Sequence, residues 1–295
     1  MTGWSKIADH IADVTGQPFA LRDQRDVGGG CINAAAVLES DSGRVFVKLN
    51  KASALEMFAA EFAGLEEIAR AAAMRVPTPI CFGDEGNCAY LVLQYIEQGT
   101  ATTESIEQLG RQLAKMHRYT GKQYGWFRDN TIGSTPQVNT PCRSWVDFWR
   151  TCRLRFQLEL AERRGCRVSL RQKGEQLIDN IDVFFHSYTP APSLLHGDLW
   201  SGNYTVDVSG TPVVFDPAVY YGDREADLAM TELFGGFPAR FYDSYRETYP
   251  LEAGYEVRKV LYNLYHILNH FNLFGGGYES QAERMIQKLL GEARA

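Results

Sequence analysis

The 295-residue sequence lacks an uninterrupted apolar run of the roughly 18 to 20 residues that a membrane-spanning helix needs. It also lacks a basic stripe, since its formal net charge is −6 and its Lys and Arg residues are interspersed with acidic ones. Proteins that bind nucleic acid need clustered Lys and Arg to displace the counterions of the phosphate backbone. We therefore expect no membrane partner and no nucleic-acid partner.

No two cysteines have the CxxC spacing, and no histidine stands near a cysteine at the spacing of a zinc site. The sequence also begins without the basic and apolar regions of a signal peptide. These absences predict a cytoplasmic protein with reduced thiols, which we expect to be a monomer. The six cysteines fall at irregular intervals, at positions 31, 81, 88, 142, 152 and 166.

The first part of the chain predicts a small antiparallel sheet with one helix, because turn residues separate short β-type runs. The predicted strands are Ala35 to Glu39, Arg44 to Leu49, Pro79 to Gly83 and Cys88 to Tyr95, and the helix covers residues 53–73. A polar, Gly-containing segment follows at residues 97–102. We place a boundary there, between an N-terminal ATP-binding lobe, 1–97, and a C-terminal catalytic and substrate-binding lobe, 98–295.

From Thr103 onward, helical periodicity dominates the sequence. Short strand candidates flank the stretch at residues 196–203. The predicted fold class is α+β with two lobes: a small N-terminal antiparallel sheet plus one helix, and a larger, mainly helical C-terminal lobe. The longer helical segments predicted in the second lobe are 144–164, 170–187, 223–234, 238–248 and 253–274.

The stretch HGDLWSGN, residues 196–203, carries an Asp and an Asn five positions apart, and the later run VVFDPA contains a second Asp. Asp198, Asn203 and Asp216 thus follow the pattern of the protein-kinase catalytic loop, H-R-D-x-x-x-x-N, and of the metal-binding Asp after it. Phosphoryl transfer needs one carboxylate near the acceptor hydroxyl. It also needs an amide oxygen and a second carboxylate to hold Mg²⁺ on the phosphates.

A Gly-rich turn, Gly28-Gly29-Gly30-Cys31-Ile32-Asn33, lies between a further strand, predicted in the residues just before it, and the strand Ala35 to Glu39. Glycines let backbone amides approach phosphate oxygens, which a Cβ would block. The turn departs from G-x-G-x-x-G, because Asn33 stands where that pattern has its third glycine. We interpret it as a phosphate-binding loop, and Cys31, set among amides that favour anions, as a candidate redox-sensitive thiol.

Strand alternation places Lys48 on the face opposite Val45 and Val47, so that it can face a cleft and pair with ATP phosphates. A carboxylate on the following helix is expected to hold this lysine. Glu56 and Glu67 lie opposite the apolar stripe of that helix and are expected to be solvated. The remaining candidates, Glu61 and Glu66, flank the stripe on either side, and helical geometry does not choose between them. The order of these features predicts an ATP-dependent phosphotransferase of protein-kinase-like fold.

The sequence is similar to the fructosamine kinase family, which is related to the aminoglycoside phosphotransferases and the choline kinases. The similarity covers residues 4 to 290 and rests on several blocks besides HGDLWSGN. These blocks are GGGCIN, RVFVKLN, FAAEFAGLEEI, GWFRDNTIGSTPQVN, FWRTCRLRFQLELAERRG, FDPAVYYGDREADLAMTELFGGF and LYHILNHFNLFGGGY.

The resemblance implies a role for each motif residue. Asp198 corresponds to the catalytic base, Asn203 and Asp216 to the magnesium ligands, and Lys48 to the partner of the ATP phosphates. The resemblance also selects Glu61 as the partner of that lysine. The segment that is expected to meet adenine through backbone groups is Gln94-Tyr95-Ile96.

The substrate implied by the resemblance is a ketosamine, either a small molecule or a glycated lysine, phosphorylated on the 3-hydroxyl of its sugar. Trp200 could stack on the sugar or on its amine carrier. His266 and Asn269 are candidate pocket residues, and His117 a structural histidine. Asp223, Glu225 and Asp227 could form an acidic rim for an amine, although Asp227 is more simply interpreted as an anchor of the catalytic loop.

Two alternative functions stay open at this point. One is a kinase for another amine-bearing acceptor, of the aminoglycoside or choline type. The other is a pseudokinase that binds without turnover, which usually lacks the Lys, the catalytic Asp or the metal-binding Asp. All three are present here, as Lys48, Asp198 and Asp216.

Overall fold

The computed structural model describes residues 3–28 and 33–294. Across these two segments, no helix is long and apolar enough to cross a bilayer. The strands are β1 (Asp23–Val27), β2 (Ala34–Ser40), β3 (Gly43–Lys51), β4 (Pro79–Glu85), β5 (Cys88–Gln94), β6 (Asn130–Ile132), β7 (Thr135–Gln137), β8 (Ser193–Leu195), β9 (Tyr204–Val206), β10 (Pro212–Val214) and β11 (Tyr220–Gly222). The α-helices are α1 (Trp4–Thr15), α2 (Leu55–Arg70), α3 (Thr103–Met116), α4 (Trp145–Phe148), α5 (Phe156–Arg163), α6 (Val168–Asp179), α7 (Arg224–Leu233), α8 (Ala239–Thr248), α9 (Tyr255–Phe274) and α10 (Tyr278–Glu292).

The first five strands form an antiparallel sheet in the order β1-β2-β3-β5-β4. Successive side chains of β3 point to opposite faces of this sheet. Val45 and Val47 pack against Ile7 and Ile11 of α1 on one face, and Lys48 reaches α2 on the other. The alternation predicted for this strand is therefore confirmed, and it aims Lys48 away from the core beneath α1.

Helix α2 is buried on more than one side, because it lies between the sheet and the second lobe. A Cβ on Gly64 would approach the side chain of Val219 to 3.1 Å. Glu67 is only 8% exposed, and its Oε1 accepts a 2.6 Å hydrogen bond from the hydroxyl of Tyr221. The prediction that Glu67 is solvated is wrong, since contact with a second lobe is invisible to helical periodicity, whereas Glu56 is exposed as expected.

The first helix after the predicted boundary is α3. Thr102 caps α3 through a reciprocal pair of hydrogen bonds with Ser105, which satisfies two otherwise unpaired donors. The predicted segment 144–164 is continuous, running through α4, a π-helical stretch at 149–155 and α5. The predicted segment 170–187 is α6 followed by a 3₁₀ turn at 181–185.

The β6–β7 hairpin and α10 are among the elements that were not predicted. The strands of the β6–β7 hairpin have only three residues each, which is too short for alternation to be recognised. For α10 a signal was present, because apolar residues recur at helical spacing and are buried against α9 and α6. These residues are Ala282, Ile286, Leu289 and Leu290.

Alanine substitutions at two helical glycines are expected to have opposite effects on stability, because only Gly110 lies in the contact between α3 and α8. A Cβ on Gly110 would lie 2.3 Å from both the carbonyl oxygen of Phe241 and Oγ of Ser244, whereas a Cβ on Gly291 would meet nothing within 4 Å. Urea denaturation should show that Gly110→Ala lowers the free energy of unfolding by about 1–3 kcal/mol. Gly291→Ala should raise it by roughly 0.5–1 kcal/mol. A neutral effect of Gly110→Ala would contradict this packing.

Candidate active site

The residues of HGDLWSGN form a loop between β8 and β9, and β10 leads back to Asp216 beside it. The side-chain amide of Asn203 donates to the main-chain oxygen of Asp198 at 2.8 Å and to its Oδ2 at 3.2 Å. The N–H of Phe215 donates to the carbonyl of Asn203 at 3.0 Å. These bonds bring the three motif residues together, and they use the amide nitrogen of Asn203 while leaving its Oδ1 for another partner.

Lys48 connects this loop to the first lobe. Its side chain is 7% exposed, and its Nζ donates to Oε1 of Glu61 at 2.5 Å and to Oδ1 of Asp216 at 2.6 Å. Burial by itself would lower the pKa of Lys48, but the two carboxylates outweigh it and raise the pKa above its ordinary value. The lysine is therefore a fixed positive charge between α2 and Asp216. The other candidate for its partner, Glu66, is exposed.

Asp198 lies where negative charge is unfavourable. Burial raises its pKa well above the ordinary value, the charge of Asp216 raises it further, and the hydrogen bond from Asn203 partly offsets both effects. A raised pKa makes Asp198 a better proton acceptor once it is ionised. The excess of carboxylates over cations also makes this region favourable for an added cation.

Asp227 anchors the catalytic loop, as expected. It accepts hydrogen bonds from the N–H groups of His196 at 2.7 Å and Gly197 at 2.8 Å. His117, which is fully buried, lies 3.1 Å from the same carboxylate and 2.8 Å from the hydroxyl of Tyr245. The structural role expected for His117 is thus confirmed.

The acidic rim suggested by the sequence does not exist. Asp223, the N-cap of α7, and Glu225, in its first turn, are fully buried. Asp223 accepts hydrogen bonds from two tyrosine hydroxyls, and Glu225 forms a two-bond ion pair with Arg258. The prediction of a solvent-facing acidic surface is wrong here, because burial of α7 against α9 turns these carboxylates inward.

His196 is a site residue to which the sequence assigned no role. Its Nδ1 accepts a 3.3 Å hydrogen bond from the N–H of Asp198, so Nε2 carries the proton and donates to the carbonyl of Phe215 at 3.0 Å. Burial lowers its pKa and favours this neutral form. The imidazole therefore joins the catalytic loop to the residue that precedes Asp216.

The predicted nucleotide-binding residues are only partly described. Gly28 is exposed, and the side-chain oxygen of Asn33 accepts a 2.7 Å hydrogen bond from Asn50. Gly29, Gly30 and Cys31 lie outside the described residues, so the phosphate-loop and redox interpretations stay predictions.

In the segment expected to meet adenine, the N–H of Gln94 donates to the carbonyl of Thr78 at 2.8 Å. The ring of Tyr95 lies 4.5 Å from the guanidinium of Arg44. Ile96 is half-buried. The segment thus leaves the sheet at its end next to the second lobe, beside the start of β3.

The three candidate substrate residues lie in different environments. Trp200 is 38% exposed, and its ring lies over Gly202 and 6.5 Å from the ring of Phe234. Asn269 is 2% exposed, and its side chain bonds the carbonyl of Ile132 and the amide of Gln157 inside the lobe. His266 is also buried. Only Trp200 is presented to solvent next to Asp198.

Comparison with known proteins finds a family model and relatives that match nearly the whole chain. The family model described as fructosamine kinase matches residues 3–292. A probable ketoamine kinase of Synechocystis sp. is 49% identical over 288 residues, which cover 97% of each chain. A chloroplastic protein-ribulosamine 3-kinase of Arabidopsis thaliana is 44% identical over 272 residues, which cover 91% of this chain and 83% of that protein.

Solved structures agree with these sequence matches. A Haemophilus somnus protein described as a fructosamine-3-kinase superposes with a TM-score of 0.88 at 30% identity, covering 97% of both chains. The aminoglycoside phosphotransferase APH(4)-Ia, in a ternary complex with AMP-PNP and hygromycin B, superposes with a TM-score of 0.64 at 15% identity, covering 99% of both chains. The second likeness concerns the fold alone, and it confirms the predicted kinase-like architecture.

Two glycines with left-handed backbones test the fit of the catalytic loop. A Cβ on Gly197, at φ +82°, would lie 2.1 Å from the carbonyl oxygen of Ala218, whereas a Cβ on Gly210, at φ +85°, would meet nothing within 4 Å. Both alanine variants carry about 1–2 kcal/mol of backbone strain. Only Gly197→Ala should also displace the loop and lower kcat by at least about 100-fold. Equal kcat values for the two variants would contradict the contact.

His266 should make stability depend on pH. Burial, followed by the effect of His270, lowers its pKa to about 3. The unfolded chain takes up this proton near pH 6.5 and the folded protein does not, so the stabilisation is present above pH 6.5 and is lost as the pH falls. Relative to His266→Gln, the wild type should lose about 1.6 kcal/mol of unfolding free energy between pH 6.5 and 5 in urea denaturation. A constant difference would contradict the assignment.

Proposed function

The chain belongs to the fructosamine kinase family, and we propose that it uses ATP to phosphorylate the sugar 3-hydroxyl of ketosamines, which leads to loss of the sugar adduct from its amine. The observation that carries this proposal is the assembly of Lys48, Glu61 and Asp216 beside Asp198 and Asn203. Each of the three functions that phosphoryl transfer requires, which are phosphate binding, metal binding and proton acceptance, has a side chain suited to it.

In this proposal Asp198 accepts the proton of the 3-hydroxyl as the oxygen of that hydroxyl attacks the γ-phosphorus of ATP. The bond between that phosphorus and the bridging oxygen breaks, and ADP leaves. Asn203 holds the carboxylate through its amide nitrogen. Lys48 binds phosphate oxygens, and Glu61 keeps its ammonium group in place. His196 positions the loop without contacting substrate.

Asp216 and Asn203 fit the proposed Mg²⁺ site. Magnesium prefers carboxylate and amide oxygens, and the hydrogen bonds of Asn203 leave its oxygen rather than its nitrogen for a cation. When bound, Mg²⁺ would neutralise charge on the phosphates and help to orient them. The excess of carboxylates around Lys48 supports a divalent cation at this place.

The nucleotide would lie between the lobes. The glycine turn from Gly28 to Asn33 would cover its phosphates through backbone N–H groups. Backbone groups of Gln94, Tyr95 and Ile96 would meet adenine. The position of Lys48 on the cleft side of β3 supports this arrangement, because it directs the ammonium group to Asp216, which is a proposed metal ligand.

The acceptor would be a small ketosamine or a glycated lysine, and Trp200 would stack on its sugar or amine carrier. The exposure of this indole two residues from Asp198 supports the assignment, and the ribulosamine 3-kinase relatives support a ribulosamine as one acceptor. We also propose a monomer working in the reducing cytoplasm. The five cysteines of the described segments are unpaired.

An acceptor screen tests this function. Wild-type enzyme should consume ATP with Mg²⁺ and ribulosamine or fructosamine forms of lysine, and ³¹P NMR of the product should place the phosphate on the 3-hydroxyl. Asp198→Asn should bind ATP normally yet lose at least about 1,000-fold in kcat, because it cannot accept the proton.

The same screen distinguishes the alternatives. Turnover with aminoglycosides or choline but with no ketosamine would point to another amine-bearing acceptor. Binding of ATP without turnover on any acceptor would identify a pseudokinase. Trp200→Phe is the matched control for Asp198→Asn, since it should raise KM for the ketosamine while largely preserving kcat.

A further inference from the structure

Asp216 has an unusual backbone. Its φ is +57°, a left-handed backbone conformation that residues other than glycine rarely adopt. Such a conformation costs of order 1–3 kcal/mol and persists only where the surrounding structure enforces it. The segment must therefore be held on both sides of Asp216.

The catalytic loop holds the segment before Asp216. The N–H of Phe215 donates to the carbonyl of Asn203 at 3.0 Å, and the carbonyl of Phe215 accepts from Nε2 of His196 at 3.0 Å. These contacts fix the peptide that enters Asp216. Beyond Asp216 the loop accepts one more hydrogen bond, from the N–H of Ala218 to the carbonyl of His196 at 2.8 Å, and the carbonyls of Ala218 and Val219 are bound from elsewhere.

Side-chain amides of the β6–β7 hairpin hold the segment after Asp216. Nε2 of Gln137 donates to the carbonyl of Ala218 at 3.1 Å, and Nδ2 of Asn130 donates to the carbonyl of Val219 at 2.8 Å. Two consecutive main-chain carbonyls are thus bound by two side chains from the same hairpin.

The two amides are themselves fixed. Oδ1 of Asn130 accepts from Nε2 of Gln137 at 2.8 Å and from Nδ2 of Asn139 at 2.9 Å. Oε1 of Gln137 accepts from the hydroxyl of Tyr265 at 2.8 Å. In each of these bonds either the amide nitrogen donates or the amide oxygen accepts. A rotation by 180° would exchange the nitrogen and the oxygen, so neither amide can rotate without losing its partners.

A buried cation completes this network. Arg153 is fully buried and donates to Oδ1 of Asn139 at 2.8 Å and to the carbonyl of Val138 at 2.6 Å. Its guanidinium carbon lies 4.2 Å from the ring centroid of Tyr220 and 4.6 Å from that of Phe148. The network therefore extends from the core of the second lobe to the main chain beside Asp216.

We propose that Asn130 and Gln137 are positioning residues for the reaction, which hold Asp216 in its metal-binding conformation by fixing the main chain at Ala218 and Val219. The proposal rests on the assignment of Asp216 as a magnesium ligand. Both amides bond to protein groups, and neither belongs to the residues proposed to bind the acceptor. Their effect is expected on metal affinity first and on turnover as a consequence.

The test uses isosteric variants of the full chain. Asn130→Asp replaces the nitrogen that faces the Val219 carbonyl with an oxygen, and Asn272→Asp makes the same change at a buried amide that donates only within the α5–α9 contact, to Gln157. Mn²⁺ binding with a non-hydrolysable ATP analogue is followed at pH 8 by the loss of the free-ion EPR signal. Thermal unfolding of each variant is measured in parallel.

Asn130→Asp should weaken Mn²⁺ binding roughly 10-fold, which is the effect of losing one buried hydrogen bond. Asn272→Asp should lower the melting temperature by a similar amount and yet bind Mn²⁺ like the wild type. If Asn130→Asp does not fold, Gln137→Met carries the same expectation. Equal Mn²⁺ affinity of the positioning and control variants would overturn the proposal.

Asp216→Asn separates this inference from the proposed function. If Asp216→Asn loses Mn²⁺ binding and Asn130→Asp does not, only the positioning role fails. If Asp216→Asn binds Mn²⁺ like the wild type, the metal assignment fails and the positioning role fails with it.

Discussion

The ion pairs of Lys48 across the cleft are the interaction on which the rest of the site depends. Burying an ammonium group is costly unless carboxylates compensate it closely, and here Glu61 and Asp216 do so from different lobes. The helix that carries Glu61 also contacts the second lobe through Glu67, which accepts a hydrogen bond from the hydroxyl of Tyr221. The two carboxylates exceed the single ammonium by one negative charge, and Asp198 lies beside them, so the same arrangement favours a divalent cation.

The second lobe supplies rigidity to this charge assembly through buried polar groups. Asp227 fixes the N–H groups of His196 and Gly197, and His196 in turn fixes Asp198 and the peptide before Asp216. Such buried groups are stabilising only when their partners are complete. The left-handed backbone of Asp216 is the point where this network reaches Lys48 of the first lobe.

Much of this could be predicted from local sequence patterns. Alternation placed Lys48 correctly because β3 is a regular strand, and the distribution of turn and helix signals gave the two-lobe, kinase-like fold. Periodicity could not choose between Glu61 and Glu66, and it misplaced Glu67, since a helix between two lobes buries faces that a single amphipathic stripe does not reveal. The acidic rim was wrong for a related reason: Asp223 and Glu225 are charged residues on a buried helix turn, compensated by partners distant in sequence.

The central claim is that Asp216 and Asn203 hold the metal while Lys48 meets the phosphates. The most direct test is anomalous scattering from Mn²⁺ in crystals grown with a non-hydrolysable ATP analogue. A single strong peak within coordination distance of Oδ of Asp216 and Oδ1 of Asn203, with Nζ of Lys48 on phosphate oxygens, is the predicted result. A metal bound elsewhere, or one that touches neither side chain, would contradict the account.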